Sequence, residues 1–379
     1  MGDNMHKVNK YHVDYLILIP LIMFSIISII TIYSASNLLP SYMNSIVFKQ
    51  IIWYILGFIV AYSIMFIGNK FIYNNIWFIY VIGIISLICL LLFAKPINEA
   101  KCWFTLPFNI GNIQPSEFMK IILIFTLSRV INDFNQKYSS PTLKEEFYFL
   151  LKVGVIVFIP SFLTFLQPDT GVVLIYLLIT IFMLFSSGIR YRWFIFLFSG
   201  LFVCIILILG LYFINNDLFI KLLGTNFFLR IDRLLDWKKK EGYQLENGLI
   251  AIGSGGLLGF GINKTPLYFP EPQTDFIFAV FANNFGFIGS IFLLSLIVIF
   301  DIRLVTIVLK SKNNVNKYIM AGIIGMLIYQ QFQNIGMTLG IMPITGITLP
   351  FISYGGSSLI SYMIMAGVIF NISNETIKY

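Results

Sequence analysis

Long apolar runs broken by short polar stretches dominate this chain. Ten of them, at about 15–36, 50–68, 71–94, 117–134, 147–166, 171–188, 193–214, 276–300, 318–341 and 351–372, approach or exceed the length a helix needs to cross a bilayer. The fourth and fifth are the least regular, because Lys120, Arg129 and Lys152 interrupt them. The pattern predicts an all-α polytopic membrane protein of about ten transmembrane helices, organised as one integral domain over residues 1–379. A long extracytoplasmic loop of roughly sixty residues, 215–275, separates the seventh helix from the eighth. The first run exceeds a signal-peptide core and has no small-residue cleavage site before the next, so it is expected to remain as a helix.

Composition narrows the class. Hydrophobic residues make up 58% and charged residues 11% of the 379 positions, whereas soluble domains carry about 25% charge. A water-soluble globular protein is excluded. The net charge of +8 could suggest nucleic acid, but the distribution of the cations argues for topology instead. With the N-terminus in the cytoplasm, about fourteen Lys and Arg fall on the inner side and about four on the short outer segments, Lys49, Lys95, Lys101 and Lys120. The other seven lie in the long loop, which weighs little on orientation. Both termini are therefore expected in the cytoplasm of a bacterial plasma-membrane protein. Cys89 and Cys204 lie within apolar runs, and Cys102 has no evident partner, so no disulfide framework is indicated. His6 and His12 sit in the N-terminal tail, and without a His/Cys cluster no zinc site is expected.

The long loop holds a basic cluster, Arg230, Arg233 and Lys238 to Lys240, interleaved with Asp232, Asp236 and Trp237. A solvated loop and a functional surface explain that cluster about equally well. A glycine-rich stretch follows, Gly253-Ser-Gly-Gly-Leu-Leu-Gly-Phe-Gly261. It is not a phosphate-binding P-loop, because Asn263 rather than Gly precedes Lys264. Tight turns and close backbone approach at the membrane surface are the expected use of these glycines. No internal repeat is evident, which weighs against an inverted-repeat transporter.

The candidate chemistry gathers on the predicted outer side. Asp275 immediately precedes an uncharged run, 276–300, and so stands at the membrane edge, where an ionisable group usually faces a cavity. Pro115 suits a first helical turn, Glu117 lies near the positive end of that helix, and Lys120 shares its face. A structural ion pair is the plain alternative there. Gln167-Pro-Asp-Thr-Gly171 reads as a capped turn, with Asp169 as the cap. Met342 to Ser358 carries two prolines, paired hydroxyls and Gly355-Gly356 at membrane depth, where irregular backbone survives only in protein or beside a wet cavity. Gln330, Gln331, Gln333 and Asn334 add amides that must point inward. Together these segments predict a polar outer cavity with a carboxylate at its lip, suited to a substrate with a greasy tail, a phosphate-bearing headgroup and hydroxyls. A lipid flippase would use a similar cavity, but its polar groups should continue to the inner leaflet.

Several motifs occur in a recognisable order: Ala-Lys-Cys-Trp-Phe (100–104), Gln-Pro-Ser-Glu-Phe-Met-Lys (114–120), Gln-Pro-Asp-Thr-Gly (167–171), Gly-Tyr-Gln-Leu (242–245), Ala-Ile-Gly-Ser-Gly-Gly-Leu (251–257), Pro-Glu-Pro-Gln-Thr-Asp-Phe-Ile-Phe-Ala (270–279) and Leu-Pro-Phe-Ile-Ser-Tyr-Gly-Gly-Ser-Ser (349–358). Over essentially the whole chain they resemble the shape, elongation, division and sporulation family, the RodA/FtsW proteins. Trp-Phe-Thr-Leu-Pro (103–107) looks more like the RodA branch; a division- or sporulation-specific paralogue is the alternative. The resemblance implies a ten-span peptidoglycan glycosyltransferase that polymerises lipid II beside a class B penicillin-binding protein. It implies Asp275 as the family's essential carboxylate, acting as general base, Trp103, Glu117 and Lys120 as cavity-lining residues, and Arg230, Asp232 and Arg233 in a charged loop. Glu271, Ser353 and Ser357 complete the candidate substrate-contacting set. No cofactor is expected; a divalent cation would suit a pyrophosphate, but no carboxylate cluster calls for one. The chain departs from the family pattern at Asn283-Asn284, where acidic residues are common, and at Gln273, where His is common. Neutral amides at 283 and 284 are expected to make the field on Asp275 less negative.

Overall fold

A computed structural model describes residues 12–40, 45–95, 101–105, 111–225, 227–228, 231 and 243–377. Its helices are α1 (Tyr15–Ser36), α2 (Ile46–Ile67), α3 (Asn69–Asn74), α4 (Ile76–Phe93), α5 (Pro115–Lys137), α6 (Leu143–Leu166), α7 (Thr170–Ser187), α8 (Arg192–Ile214), α9 (Asn216–Leu223), α10 (Tyr243–Ser254), α11 (Ile277–Lys310), α12 (Asn314–Thr338) and α13 (Gly356–Ile377). One two-residue ladder pairs β1 (Phe104–Thr105) with β2 (Asn112–Ile113) in antiparallel register. The helix starts follow local chemistry: Asp14 caps α1, Thr142 and Glu145 form a capping box on α6, and Asp169, Asn215 and Asn313 cap α7, α9 and α12.

Among the described residues, eight of the long helices are apolar enough to cross a membrane. α5 and α12 are as long but more polar, and burial explains the difference. α5 packs against α4, α7 and α12, and α12 against α7 and α11, so both are screened from lipid by other helices. Their polar side chains meet protein rather than acyl chains. α8 is the opposite case: the most apolar of the eight, with only 6% of its apolar stretch buried. α13 lies along α2, where Gly57 and Gly367 let the backbones approach.

The run expected as an uninterrupted helix over 276–300 is longer and broken. α11 continues to Lys310 and takes up Asp301 and Arg303, but its backbone leaves helical geometry at Gly286 (φ 66°, ψ −161°). The glycine-rich stretch repairs that break. Phe260 N donates to Asn283 O (2.8 Å) and Gly261 N to Asn284 O (3.3 Å), while Phe287 N and Ile288 N donate to Gly256 O (2.9 Å) and Leu257 O (3.1 Å). Backbone groups freed inside hydrocarbon must be paired this way. The contact needs bare α-carbons: a Cβ on Gly259 would collide with the Asn284 carbonyl, and Gly259 also has φ +93°. Gly259→Ala should therefore lower thermal stability by several degrees, whereas Gly200→Ala in α8, where a Cβ meets nothing within 4 Å, should leave the melting temperature unchanged or raised.

Asn283 and Asn284 belong to this junction. Asn283 Nδ2 donates to Ala251 O (3.0 Å) and Ser254 Oγ (2.8 Å), and Asn284 Oδ1 accepts from Ser34 Oγ (3.0 Å). Both residues are buried. They tie α11 to α10 and α1. At the other end of the bundle, Asp14 receives Arg303 Nε (2.9 Å), Arg303 Nη2 (2.6 Å) and Ser373 Oγ (2.6 Å), which clamps the starts and ends of α1, α11 and α13 together.

Candidate active site

Asp275 stands in a turn, not in a helix. The turn is built around Glu271, whose left-handed backbone (φ 53°) lets its carbonyl accept from Thr274 N (3.3 Å) and Phe276 N (3.2 Å). The Glu271 carboxylate accepts from Gln273 Nε2 (2.9 Å) and Thr274 Oγ1 (2.8 Å). Phe276 and Ile277, fully buried, anchor the far side of the turn in the bundle.

The irregular segment between α12 and α13 grips the same turn. Tyr354 N donates to Gln273 O (2.8 Å), Ser353 Oγ to Thr274 O (2.6 Å), and Asn334 Nδ2 to both Asp275 O (2.9 Å) and Ile347 O (2.7 Å). From behind, Ser28 Oγ donates to Ile352 O (2.7 Å) and the Tyr54 hydroxyl to Phe351 O. Every backbone carbonyl from Gln273 to Asp275 is thus held by another element. The half-buried Asp275 carboxyl is pushed up to about 7, first by burial and then by the negative charge of Glu271. Gly346 lies directly before it: a Cβ there would be 3.6 Å from Asp275 Oδ2.

A second polar group sits at the starts of α5 and α7. Lys120 Nζ donates to Glu117 Oε2 at 2.7 Å, with Lys120 entirely buried and Glu117 nearly so. Lys120 also lies 5.1 Å from the centre of the Tyr362 ring. The Tyr362 hydroxyl accepts from Gln330 Nε2 (2.8 Å) and bonds Thr348 Oγ1 (3.2 Å). Asp169 caps α7 as expected, its Oδ1 accepting from Val172 N (3.2 Å), and its Oδ2 accepts from Gln114 Nε2 (2.7 Å). Burial, and next the charge of Glu117, push its carboxyl up to about 6, against the lowering effect of these hydrogen bonds and of Lys120. Thr348 and Gly346 share one loop, so the Asp275 turn and the Lys120 group are mechanically joined.

The predicted site residues distribute unevenly over this geometry. Asp275 and Glu271 share the turn, and Glu117 and Lys120 pair. Lys120 has Glu117, Tyr362 and Asp169 as its electrostatic neighbours. Trp103 is half-buried next to β1. Ser353 and Ser357, expected to contact substrate, have backbone partners in this structure. Ser353 Oγ is spent on Leu349 N (2.8 Å) and Thr274 O, and Ser357 Oγ on Gln114 N (2.9 Å) and Asn112 O (3.0 Å). Both hydroxyls brace backbone. Arg230, Asp232 and Arg233 lie outside the described residues. Asp169, Asn334 and Gly346 lie in segments that the sequence assigned to the cavity without giving these residues a role in its chemistry, and Tyr362 was not placed there at all. Asp169 carried a signal only as a cap and Asn334 as an inward amide, whereas Tyr362 is hidden in an apolar run. Among the described residues no three His, Cys, Asp or Glu side chains converge.

The fold and this site define a multi-pass helical membrane protein whose polar centre is built from non-helical backbone between its helices. The chain belongs to the cell cycle protein family of FtsW, RodA and SpoVE, whose model matches residues 11–378. It is 30% identical to the probable peptidoglycan glycosyltransferase FtsW of Lactococcus lactis, over 98% of this chain and 94% of that one. It is 31% identical to the peptidoglycan glycosyltransferase MrdB of Escherichia coli, over 98% and 97%. Among solved structures, a chain of a peptidoglycan synthase complex that coordinates polymerization and crosslinking superposes with a TM-score of 0.79 at 24% identity, covering 98% of this chain and 100% of that one.

Proposed function

We propose that this chain is a peptidoglycan glycosyltransferase that polymerises lipid II into glycan strands on the outer face of the cytoplasmic membrane. The 4-hydroxyl of one GlcNAc gives its proton to Asp275 as its oxygen attacks C1 of a MurNAc. The bond from C1 to undecaprenyl pyrophosphate breaks, and the anomeric centre inverts. Asp275 acts as general base, and the observation that carries this is its carboxylate: half-buried, raised towards neutrality by its surroundings, and held on a rigid turn beside the bare Gly346. A base whose proton affinity lies near the working pH transfers protons most effectively. Arg230 and Arg233 are the cations proposed to neutralise the pyrophosphate as charge develops. Lys120, with no exposed surface, is proposed to act through Glu117 and Tyr362 rather than by touching the leaving group.

The cation distribution supports cytoplasmic termini, which puts the Asp275 turn outside. α5 and α12 then bring the number of spans to ten. Trp-Phe-Thr-Leu-Pro (103–107) supports a role in elongation and cell shape. The partners proposed are a class B penicillin-binding protein, which would crosslink the strands, and the elongation machinery. The proposed step requires no cofactor. Purified protein incubated with lipid II in detergent tests the reading, because detergent has no compartments to transport between. Polymer of several disaccharides is the expected product. Headgroup movement across vesicles without polymer would instead identify a flippase.

A further inference from the structure

Gly346 has an unusual setting. Its backbone is left-handed (φ +72°), it is exposed, and a Cβ built on it would meet only one heavy atom within 4 Å, Asp275 Oδ2 at 3.6 Å. Other glycines of the fold sit where a Cβ would strike packed atoms, as at Gly57, Gly171, Gly259 and Gly325, or where nothing is near, as at Gly188. Close helix packing therefore does not account for Gly346. Its bare face borders open space, and the object across that space is the carboxylate oxygen.

The two sides of the opening are fixed relative to each other. Asn334 Nδ2 bridges Asp275 O and Ile347 O, the residue after Gly346. On the other flank, Thr345 O lies against Gly171 at the start of α7, close enough that a Cβ on Gly171 would be 3.0 Å away. A side chain added at 346 extends into the space before Asp275 Oδ2. A hydroxyl approaching Asp275 Oδ2 must come within hydrogen-bond reach of it, and a sugar hydroxyl brings a ring along with it.

Resting on the reading of Asp275 as general base, we infer that Gly346 admits the acceptor sugar to that carboxylate and is a specificity-determining position of the site. Its missing side chain is the room in which the acceptor ring lies. Any side chain there occupies the ring's position and misplaces the hydroxyl, and misplacement by about 1 Å can cost about 10²-fold in rate.

Gly346→Asn separates this role from a structural one, since Asn tolerates left-handed backbone better than other residues. The variant is measured beside native protein, Gly346→Ala and Gly188→Asn, the last at a left-handed helix end (φ +81°) with nothing within 4 Å. Lipid II polymerisation by Gly346→Asn should fall about 10²-fold with an unchanged melting temperature, and by Gly346→Ala less. Gly188→Asn should behave as native. The new amide should also donate to Asp275 Oδ2 and move the acid limb of the residual activity to lower pH, which a general loss of structure would not do. Native rates in Gly346→Asn, or a loss of activity that only tracks a loss of melting temperature, would overturn the inference while leaving the reading of Asp275 intact. If the native protein makes no polymer, the reading fails first and the inference with it.

Discussion

Replacing Asp275 by asparagine should lower lipid II polymerisation by about 10²–10⁴-fold and leave a folded protein that is more stable than native at pH 8. Both effects come from one environment. The carboxyl is held up to about 7 by burial and by Glu271, so ionising it in the folded state costs free energy that the unfolded chain does not spend. For an acid whose folded pKa is raised, that cost is absent below the unfolded value near 4. It grows as pH rises towards the folded value and is constant above it. A neutral amide in place of the carboxyl avoids the cost, so the melting temperature of Asp275→Asn should exceed that of native protein at pH 8 and match it near pH 4. An asparagine variant that polymerises at the native rate removes Asp275 from the chemistry.

The same environment sets the pH profile. The base must be ionised, so polymerisation by native protein should rise as pH passes through about 7. Glu271→Gln removes the neighbouring negative charge but keeps an acceptor for Gln273 and Thr274. The acid limb should then move to lower pH, and an unmoved limb would show that Glu271 does not act on Asp275.

The second large effect concerns the buried pair. Lys120→Met leaves the Glu117 carboxylate desolvated and without its 2.7 Å partner, and breaking a buried pair from one side costs about 3–5 kcal/mol. The double change Glu117→Gln with Lys120→Met removes both charges and should regain most of that stability, since apolar or neutral replacements of a buried pair are often neutral. Polymerisation by the double variant should nevertheless stay at least about tenfold below native, because the cation beside the Tyr362 ring, whose hydroxyl bonds Thr348, is gone. Full recovery of activity together with stability would reduce the pair to a structural element.

The spans were legible because hydrocarbon imposes long apolar helices, and the sequence placed Asp275 at a membrane edge for the same reason. Glu117 and Lys120 were legible as a pair because three-residue spacing on a helix is a local property. Asp169 was legible as a cap but not as an electrostatic neighbour of Lys120, because that relation joins α5 to α7. The break in α11 was invisible, since an apolar run with one internal glycine reads like any other span until its partner, the 255–261 stretch, is seen filling the gap.

By itself, then, the amino-acid order determined that this is a polytopic helical protein with an acid at the rim of its eighth run, and the motifs named its family. Only the tertiary structure decided what that acid faces, because the surroundings of a carboxylate are assembled from residues far apart in the chain. It gave Ser353, Ser357, Asn283 and Asn284 their partners in the framework, and set a glycine seventy-one positions further along the chain, Gly346, against Asp275 Oδ2. Burial and hydrogen bonding are properties of that assembled neighbourhood, and they fix whether a polar side chain braces the fold or meets a substrate.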